Sequence, residues 1–456
     1  MTEQSSHAAR ATNPDPATSG IHGEDTGVGS VFVSNYPPFS FWTADELPRV
    51  MQTLRTPPED PQLPLGLYLH IPFCRRRCKF CYFRVYTDKN ASEISRYTDA
   101  LAREVELYGD MAYTRDRPLD FVYFGGGTPS YISTDHLNAL VERVQAVYPW
   151  DRVREVTFEC EPGTLTRTKL AAIHEIGVTR LSVGVEHFDD EILRTNGRAH
   201  VSKEIYRVIP WLDEEGFDQV NVDLIAGMVG ETWDTWKMAV DETLEMAPDS
   251  ITIYQMELPH NAKFSKQLQD GELETPLATW AQKREWQQYA FDTLAENGYR
   301  QSSAYTMVRD DREHSFVYRD ALWHGSDMLG TGVASFGHLH GKHLQNVSDW
   351  IGYLESLEAG ILPLGRGYAT SAAERLTREM ILQMKLGRLD TSRFREKFGV
   401  DVLERYRPAF EELASKDMLT VDPEAERVEL SRQGLLQVDA LLPTFYDEQH
   451  RGARYT

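Results

Sequence analysis

The chain reads as an α/β protein: a partial (β/α)6 barrel with an N-terminal arm and a C-terminal helical, winged-helix-like domain. Two patterns carry this. Apolar runs of strand length fall at 67–70, 121–124, 156–159, 181–186, 220–225 and 251–254, with helix-period stretches between them, among others at 92–108, 134–147, 166–176 and 233–246. Such units read as right-handed βα crossovers around a parallel sheet, whose strands are apolar because both faces are buried. The second pattern is a polar residue recurring where strands end: Glu159, Glu186, Asp223 and Gln255. One carboxylate there is readily a helix cap, but four polar groups on separate strands read as the lining of one pocket, at the end of a barrel where ligands gather. Six units suit a partial barrel better than a closed ring of eight; an open doubly wound sheet is the alternative.

The other elements follow in chain order. Residues 1–30, rich in Ser, Ala, Thr, Gly and Asp, read as a disordered tail. The arm, 31–64, carries Asn35-Tyr-Pro-Pro-Phe-Ser-Phe-Trp42, too aromatic to be free, then Thr43 and Glu46 at capping-box spacing for a short helix. Pro57, Pro58, Pro61 and Pro64 mark a linker. The barrel and a cavity-closing segment occupy 65–365; within the latter, 279–297 is a helix with Trp286, Tyr289, Ala290 and Leu294 on one stripe, and 301–305 and 329–335 close the cavity. From 366 to 456, helices at 372–386, 391–399 and 402–416 precede a β wing at 419–421 and 428–430.

Composition excludes some classes. A net charge of −22 argues against nucleic acid, which needs clustered Lys and Arg. No apolar run has the length to cross a bilayer. A membrane is therefore not expected, and the cytoplasm is the expected compartment.

Three of the four cysteines stand together in His70-Ile-Pro-Phe-Cys74-Arg-Arg-Arg-Cys78-Lys-Phe-Cys81, directly after the first strand. At this spacing a short loop can wrap three thiolates around one face of a cubane, leaving the fourth iron without a cysteine. Iron–sulfur clusters are ordinarily held by four thiolates, so the open iron marks a place for a ligand. Zinc with His70 as fourth ligand is the plainer reading, but structural zinc sites use two paired knuckles and no second pair exists. A disulfide framework is not expected in a chain of this length without a secretory signal. Cys160 reads as a buried core thiol. His338, His340 and His343 read as loop or substrate contacts rather than a metal site, and His324 as packing or a substrate contact. Arg75, Arg76 and Arg77 read as a solvated run or as a face for an anionic substrate or electron donor.

The cysteine loop resembles the signature of radical S-adenosylmethionine (radical SAM) enzymes, in which the open iron chelates the amino and carboxylate groups of SAM. Gly125-Gly-Gly-Thr-Pro129 follows the second strand; by itself it is a tight turn or a point of close approach to a ligand. The pieces LYLHIPFC (67–74), YFGGGTPS (123–130), FECEPGTL (158–165), RLSVGVEHF (180–188), NGRAH (196–200), VNVDLIAGM (220–228) and LGTGVASFG (329–337) run in the order found in the oxygen-independent coproporphyrinogen III oxidase (HemN) family. The similarity covers about residues 31–445. It implies a [4Fe-4S] cluster on Cys74, Cys78 and Cys81, with Phe80 against the adenine of SAM. It further implies Gly125 and Gly126, in the segment that holds Thr128, at the methionyl amino group, Glu159 and Arg198 at the methionyl end, and Glu186 and Asp223 at the ribose. Tyr68 completes the expected cofactor-binding set; like Tyr123 and Tyr254 it is either cavity wall or ordinary core.

Two departures from that family matter. Glu186 stands where the oxidase usually has Gln, and a carboxylate still accepts from ribose hydroxyls. Phe83 stands where the oxidase has a further cysteine, which argues against porphyrinogen decarboxylation while leaving SAM cleavage intact. The leading expectation is reductive cleavage of SAM to a 5′-deoxyadenosyl radical, with a second SAM giving a methyl or methylene group to an sp2 carbon of a small-molecule natural product. That is the activity of HemN-like C-methyltransferases and cyclopropanases. The alternatives are tetrapyrrole chemistry, as porphyrinogen oxidation or haem degradation, and a haem chaperone (HemW) without turnover. HemW typically begins at the cysteine strand, so the arm argues mildly against it. The expected partners are the substrate and a reductant such as flavodoxin or ferredoxin.

Overall fold

The computed structural model describes residues 25–311 and 315–453. Most of the expected tail lies outside these residues. Its last part, 25–30, is tied to the body: Thr26 donates to Ala278 O (2.7 Å) and Gly29 N to Leu258 O (2.8 Å).

Strands β1 (Leu65–Ile71), β2 (Phe121–Gly126), β3 (Glu155–Cys160), β4 (Arg180–Glu186), β5 (Gln219–Ala226) and β6 (Ser250–Gln255) lie side by side in chain order, each parallel to the next. A doubly wound sheet reverses its order at a switch point. This one does not, and the barrel-like reading stands.

The sheet extends past these six. β7 (Tyr299–Gln301) and β8 (Thr306–Arg309) add antiparallel beyond β6. β9 (Asp327–Thr331) pairs parallel with β1, and β10 (Phe336–Leu339), β11 (Lys342–Asn346) and β12 (Leu364–Ala369) continue antiparallel from it. The pieces expected to close the cavity thus extend the sheet on both sides, Gln301 in β7 and 329–331 in β9 between β1 and β10. Ala304, Tyr305, Ala334 and Ser335 line the cavity. The strands are too short to show a period. The sheet also runs to Ala369, past the expected domain boundary at 365. His340 (φ 47°) and Gly341 (φ 67°) form a tight hairpin turn between β10 and β11, so His338 and His343 are directly opposed strand residues rather than loop.

Capping residues set the helix starts. Asn90 and Glu93 form a capping box (3.1 Å each way) at Ala91–Gly109, and Thr279 with Gln282 does so at Trp280–Glu296. The box expected at Thr43 and Glu46 is not made. Thr43 instead exchanges backbone hydrogen bonds with Gly367 (2.9 Å each), and the helix begins at Leu47. The helix expected at 402–416 is two, Val402–Arg405 and Arg407–Ser415, because Pro408 fits only a first turn. The wing has three strands, β13 (Arg388–Asp390) joining β15 (Arg427–Leu430) and β14 (Leu419–Asp422).

Among the described residues three apolar clusters form. The largest fills the space between the sheet and its helices. The second lies in the C-terminal domain and takes in Val33 and Tyr36, so the arm is part of that core. A third, small one gathers Ile225, Met228, Met256 and Phe264. Among the described residues no helix is long and apolar enough to cross a membrane.

Buried polar groups fasten β9 beside β1. Glu104, fully buried, accepts from Gly332 N (2.8 Å), Asn346 Nδ2 (2.6 Å) and Tyr353 OH (2.7 Å). Tyr97 OH donates to His70 O (2.8 Å) and accepts from Val333 N (3.1 Å). At the other end of β9, Asp327 accepts from Tyr113 OH (2.7 Å), Arg117 Nη1 (2.9 Å) and His340 N (2.8 Å). Replacing Asp327 by Ala strands a buried guanidinium, and urea unfolding is expected to show a loss of about 3 kcal/mol.

Candidate active site

The chain leaves β1 at Ile71 and enters the cysteine loop, which has no helix or strand of its own. Backbone bonds fix its start: Cys74 N to Tyr86 O (3.1 Å), Tyr86 N to Pro72 O (2.7 Å), Gly127 N to Ile71 O (2.9 Å) and Thr128 N to Phe73 O (2.8 Å). This explains the glycines. A Cβ on Gly127 would sit 2.9 Å from the Ile71 and Phe73 carbonyl oxygens, and one on Gly126 (φ +111°) 2.4 Å from the His70 ring. Gly126, Gly127 and Thr128 line the cavity, whereas Gly125 packs against Tyr123 and Tyr68.

The cavity, about 1080 Å³, opens at the C-terminal ends of the parallel strands and is lined by Cys74, Cys78 and Cys81. All three are half-buried free thiols. Thr128 Oγ1 donates to Cys74 Sγ and Arg198 Nη1 to Cys78 Sγ, each at 3.4 Å. Burial pushes Cys74 up to about 11, and burial with the neighbouring Cys78 pushes Cys81 up to about 12. Iron would reverse that by binding the thiolates. Among the described residues no three His, Cys, Asp or Glu side chains converge on the position of one ion. The three thiols line one cavity, the donor set that three corners of a [4Fe-4S] cluster would need. Cys160 is 5 % exposed, its thiol raised by burial, although it also touches the cavity.

A latch that sequence reasoning missed holds the loop down. Glu161, just after β3, accepts from Arg75 Nε (3.1 Å) and Nη2 (2.9 Å) and from His200 Nδ1 (2.9 Å). Arg75 Nη2 also donates to Ala199 O (2.7 Å). Burial pushes Glu161 up, but the His200 and Arg75 hydrogen bonds outweigh it and hold the carboxyl at about 2. Arg75 is therefore structural rather than a solvated charge. Lys79 N donates to Asn196 O (3.0 Å) and Arg77 Nη2 to Cys81 O (3.1 Å), so both arms of the loop are tied. The available signal was Glu161 and His200 inside the two quoted pieces, but their meeting depends on β3 lying beside β4.

Acids line the opposite wall. Glu159 accepts from Tyr123 OH (2.7 Å) and Gly126 N (3.1 Å). Glu186, at φ 66° beside a register shift in β4, lies 3.4 Å from Arg198 Nη1. Asp223 accepts from Ser182 Oγ (2.9 Å) and Asn221 Nδ2 (3.0 Å). Burial raises all three, Glu159 and Glu186 to about 7. Arg198 Nη2 also donates to Gly184 O (2.7 Å). Tyr68, Phe80, Tyr123 and Tyr254 all line the cavity, with Tyr68 stacked on Tyr123 at 5.6 Å. The structure thus brings every expected site residue except Gly125 to one cavity. His324 is not among them; its Nδ1 lies 2.6 Å from Asp320 O at a helix end.

The radical SAM superfamily model matches residues 68–243, and the HemN C-terminal domain model matches residues 370–437. The chain is a HemN-like radical SAM protein. It is 24 % identical over 404 residues to the oxygen-independent coproporphyrinogen III oxidase of Synechocystis sp., covering 85 % of each chain. It is 26 % identical over 385 residues to the haem chaperone HemW of Bacillus subtilis, covering 84 % of this chain and 99 % of that one. The fold matches that of Escherichia coli coproporphyrinogen III oxidase (HemN) with a TM-score of 0.79 at 22 % identity, covering 91 % and 96 % of the two chains.

The cofactors of this HemN-like protein are a [4Fe-4S] cluster and SAM, and the residues fit both. Three thiols on one loop, lining one cavity, suit three irons. Buried acids raised above their ordinary range are relieved by a cation, and SAM carries a sulfonium and an ammonium. Together the bound groups supply reductive cleavage of SAM. The chain's own residues orient the cosubstrate and keep water out.

Glu161→Gln should weaken the latch. We expect a loss of about 2 kcal/mol at neutral pH, together with less iron per chain after anaerobic reconstitution. Because the folded carboxyl is depressed, its contribution is complete above the ordinary carboxylate pKa. The difference between wild type and variant should therefore shrink as pH falls from about 4.5 toward 2.

Proposed function

We propose that this HemN-like protein is a radical SAM enzyme that uses a second SAM as methyl or methylene donor to an sp2 carbon of a small molecule. The observation that carries this reading is Phe83. It occupies the position where the family resemblance puts the oxidase's additional cysteine, is 42 % exposed, lines the cavity and stacks on Tyr82 at 4.3 Å. A phenyl ring there offers neither proton nor thiol chemistry, but it does offer a flat apolar surface. A volume of about 1080 Å³ exceeds the usual range for one drug-sized ligand and leaves room for more than one SAM. The aromatic wall suits chemistry from which water must be kept away. A flavodoxin- or ferredoxin-like reductant and a cytoplasmic setting go with this reading, since the cluster must be reduced.

Tetrapyrrole chemistry is the second reading, favoured by relatives named as coproporphyrinogen oxidases and by a haem chaperone matched over 99 % of its length. One assay separates the two. Reconstituted protein with reductant and methyl-labelled SAM is expected to yield 5′-deoxyadenosine, S-adenosylhomocysteine and label in an unsaturated acceptor. Conversion of coproporphyrinogen, or tight haem binding with no SAM-derived product, overturns the proposal.

A further inference from the structure

Away from the cysteine loop, the cavity continues between β9–β11, the arm and the helix Ala372–Met384, and its character changes from acidic to basic. Arg378 stands there, only 4 % exposed. Its Nε donates to Asn35 Oδ1 (2.6 Å), its one hydrogen bond among the described residues, and its Nη1 is buried without a partner. A buried guanidinium is ordinarily paired with an acid. The acids nearest in effect are spent elsewhere: Asp327 on Arg117 (2.9 Å) and Glu379 on Lys397 (2.8 Å). Arg180, also buried and short of partners, differs in facing the acids Glu159 and Asp223, which balance its charge. The two acids that act on Arg378 each hold another cation already.

His338 lines the same lobe. Its Nδ1 lies 2.9 Å from His343 Nδ1, and His343 Nε2 lies 2.9 Å from Tyr36 O. A carbonyl only accepts, so His343 Nε2 carries a proton. Burial keeps His343 neutral, down at about 3. Its Nδ1 is then an acceptor, and His338 Nδ1 donates to it. His338 is held neutral by burial and by Arg378, which leaves a lone pair on its Nε2, with no protein partner among the described residues. Trp42 stacks on His343 (4.8 Å, 4°) and fixes the pair.

We propose that Arg378 and His338 anchor the acceptor substrate through an anionic oxygen group, carboxylate or phosphate, that has an O–H or N–H beside it. The guanidinium fork donates to the oxygens and His338 Nε2 accepts from the neighbouring donor. A neutral analogue would leave the fork unpaired and is rejected on that account. The proposal rests on the reading that an acceptor occupies this cavity, but not on which group is transferred to it.

The test titrates holoprotein, with cluster and saturating SAM, calorimetrically with benzoate, phenyl phosphate, benzamide and 2-hydroxybenzoate. We expect one of the two simple anions to bind roughly tenfold or more tighter than benzamide; which one distinguishes carboxylate from phosphate. The 2-hydroxy group should add affinity. Arg378→Gln should abolish the preference for the anion and Arg378→Lys keep part of it. His338→Leu should keep that preference and lose the hydroxyl's gain. Benzamide binding as tightly as both anions, or an undiminished preference in Arg378→Gln, overturns the proposal. Should Arg378→Gln not fold, a hydroxyl gain that is absent in wild type or survives in His338→Leu overturns it as well. Since the readout is binding, failed methyl transfer leaves this result standing, and failure here leaves methyl transfer standing.

Discussion

Everything at this site depends on holding a loop that has no secondary structure of its own. Three thiols must stay at fixed separations while the backbone between them is free to unwind, an ordering that costs roughly 1–2 kcal/mol per residue. The chain meets that cost with Glu161, whose carboxylate takes the Nε–Nη2 edge of Arg75 and the ring of His200. The latch joins β3, the end of the NGRAH segment and the cysteine loop. Gly126 and Gly127 close the other side, packed so tightly on His70 and on the β1 carbonyls that any side chain would displace the loop.

The electrostatics of the cavity follow from this. Thiols, acids and the arginines Arg180, Arg198 and Arg378 are drawn into one low-dielectric space, each unfavourable when charged and alone. Glu159, Glu186 and Asp223 are raised by burial, Arg198 bridges Glu186 and Cys78, and the opposite lobe leaves Arg378 without a counter-ion of its own. Such an arrangement is costly until ligands complete it: a cation on the acid side and an anion on the basic side. The division follows the architecture, since the acids come from β3–β5 and the basic lobe from β10, the arm and the C-terminal helix.

Much of this was legible in the sequence, for physical reasons. β1–β6 are buried on both faces and so read as apolar runs, and helices between them announce their starts by Asn90, Ser133, Thr166 and Thr232. The cysteines and the polar strand ends were legible because function places those residue types where packing would not. β7–β12 were not, being short and of mixed polarity. Nor was the His338–His343 pair, whose meaning lies in a hairpin turn made by His340 and Gly341. Pairings between distant segments, such as Thr43 with Gly367 or Glu161 with Arg75, lie beyond what local pattern encodes.

The claim most exposed to test is that Cys74, Cys78 and Cys81 leave one iron open for SAM. Electron paramagnetic resonance of the dithionite-reduced, anaerobically reconstituted protein addresses it directly. The account predicts a [4Fe-4S]+ signal whose g-values move when SAM is added. Zinc in place of iron, or a cluster signal indifferent to SAM, would contradict it.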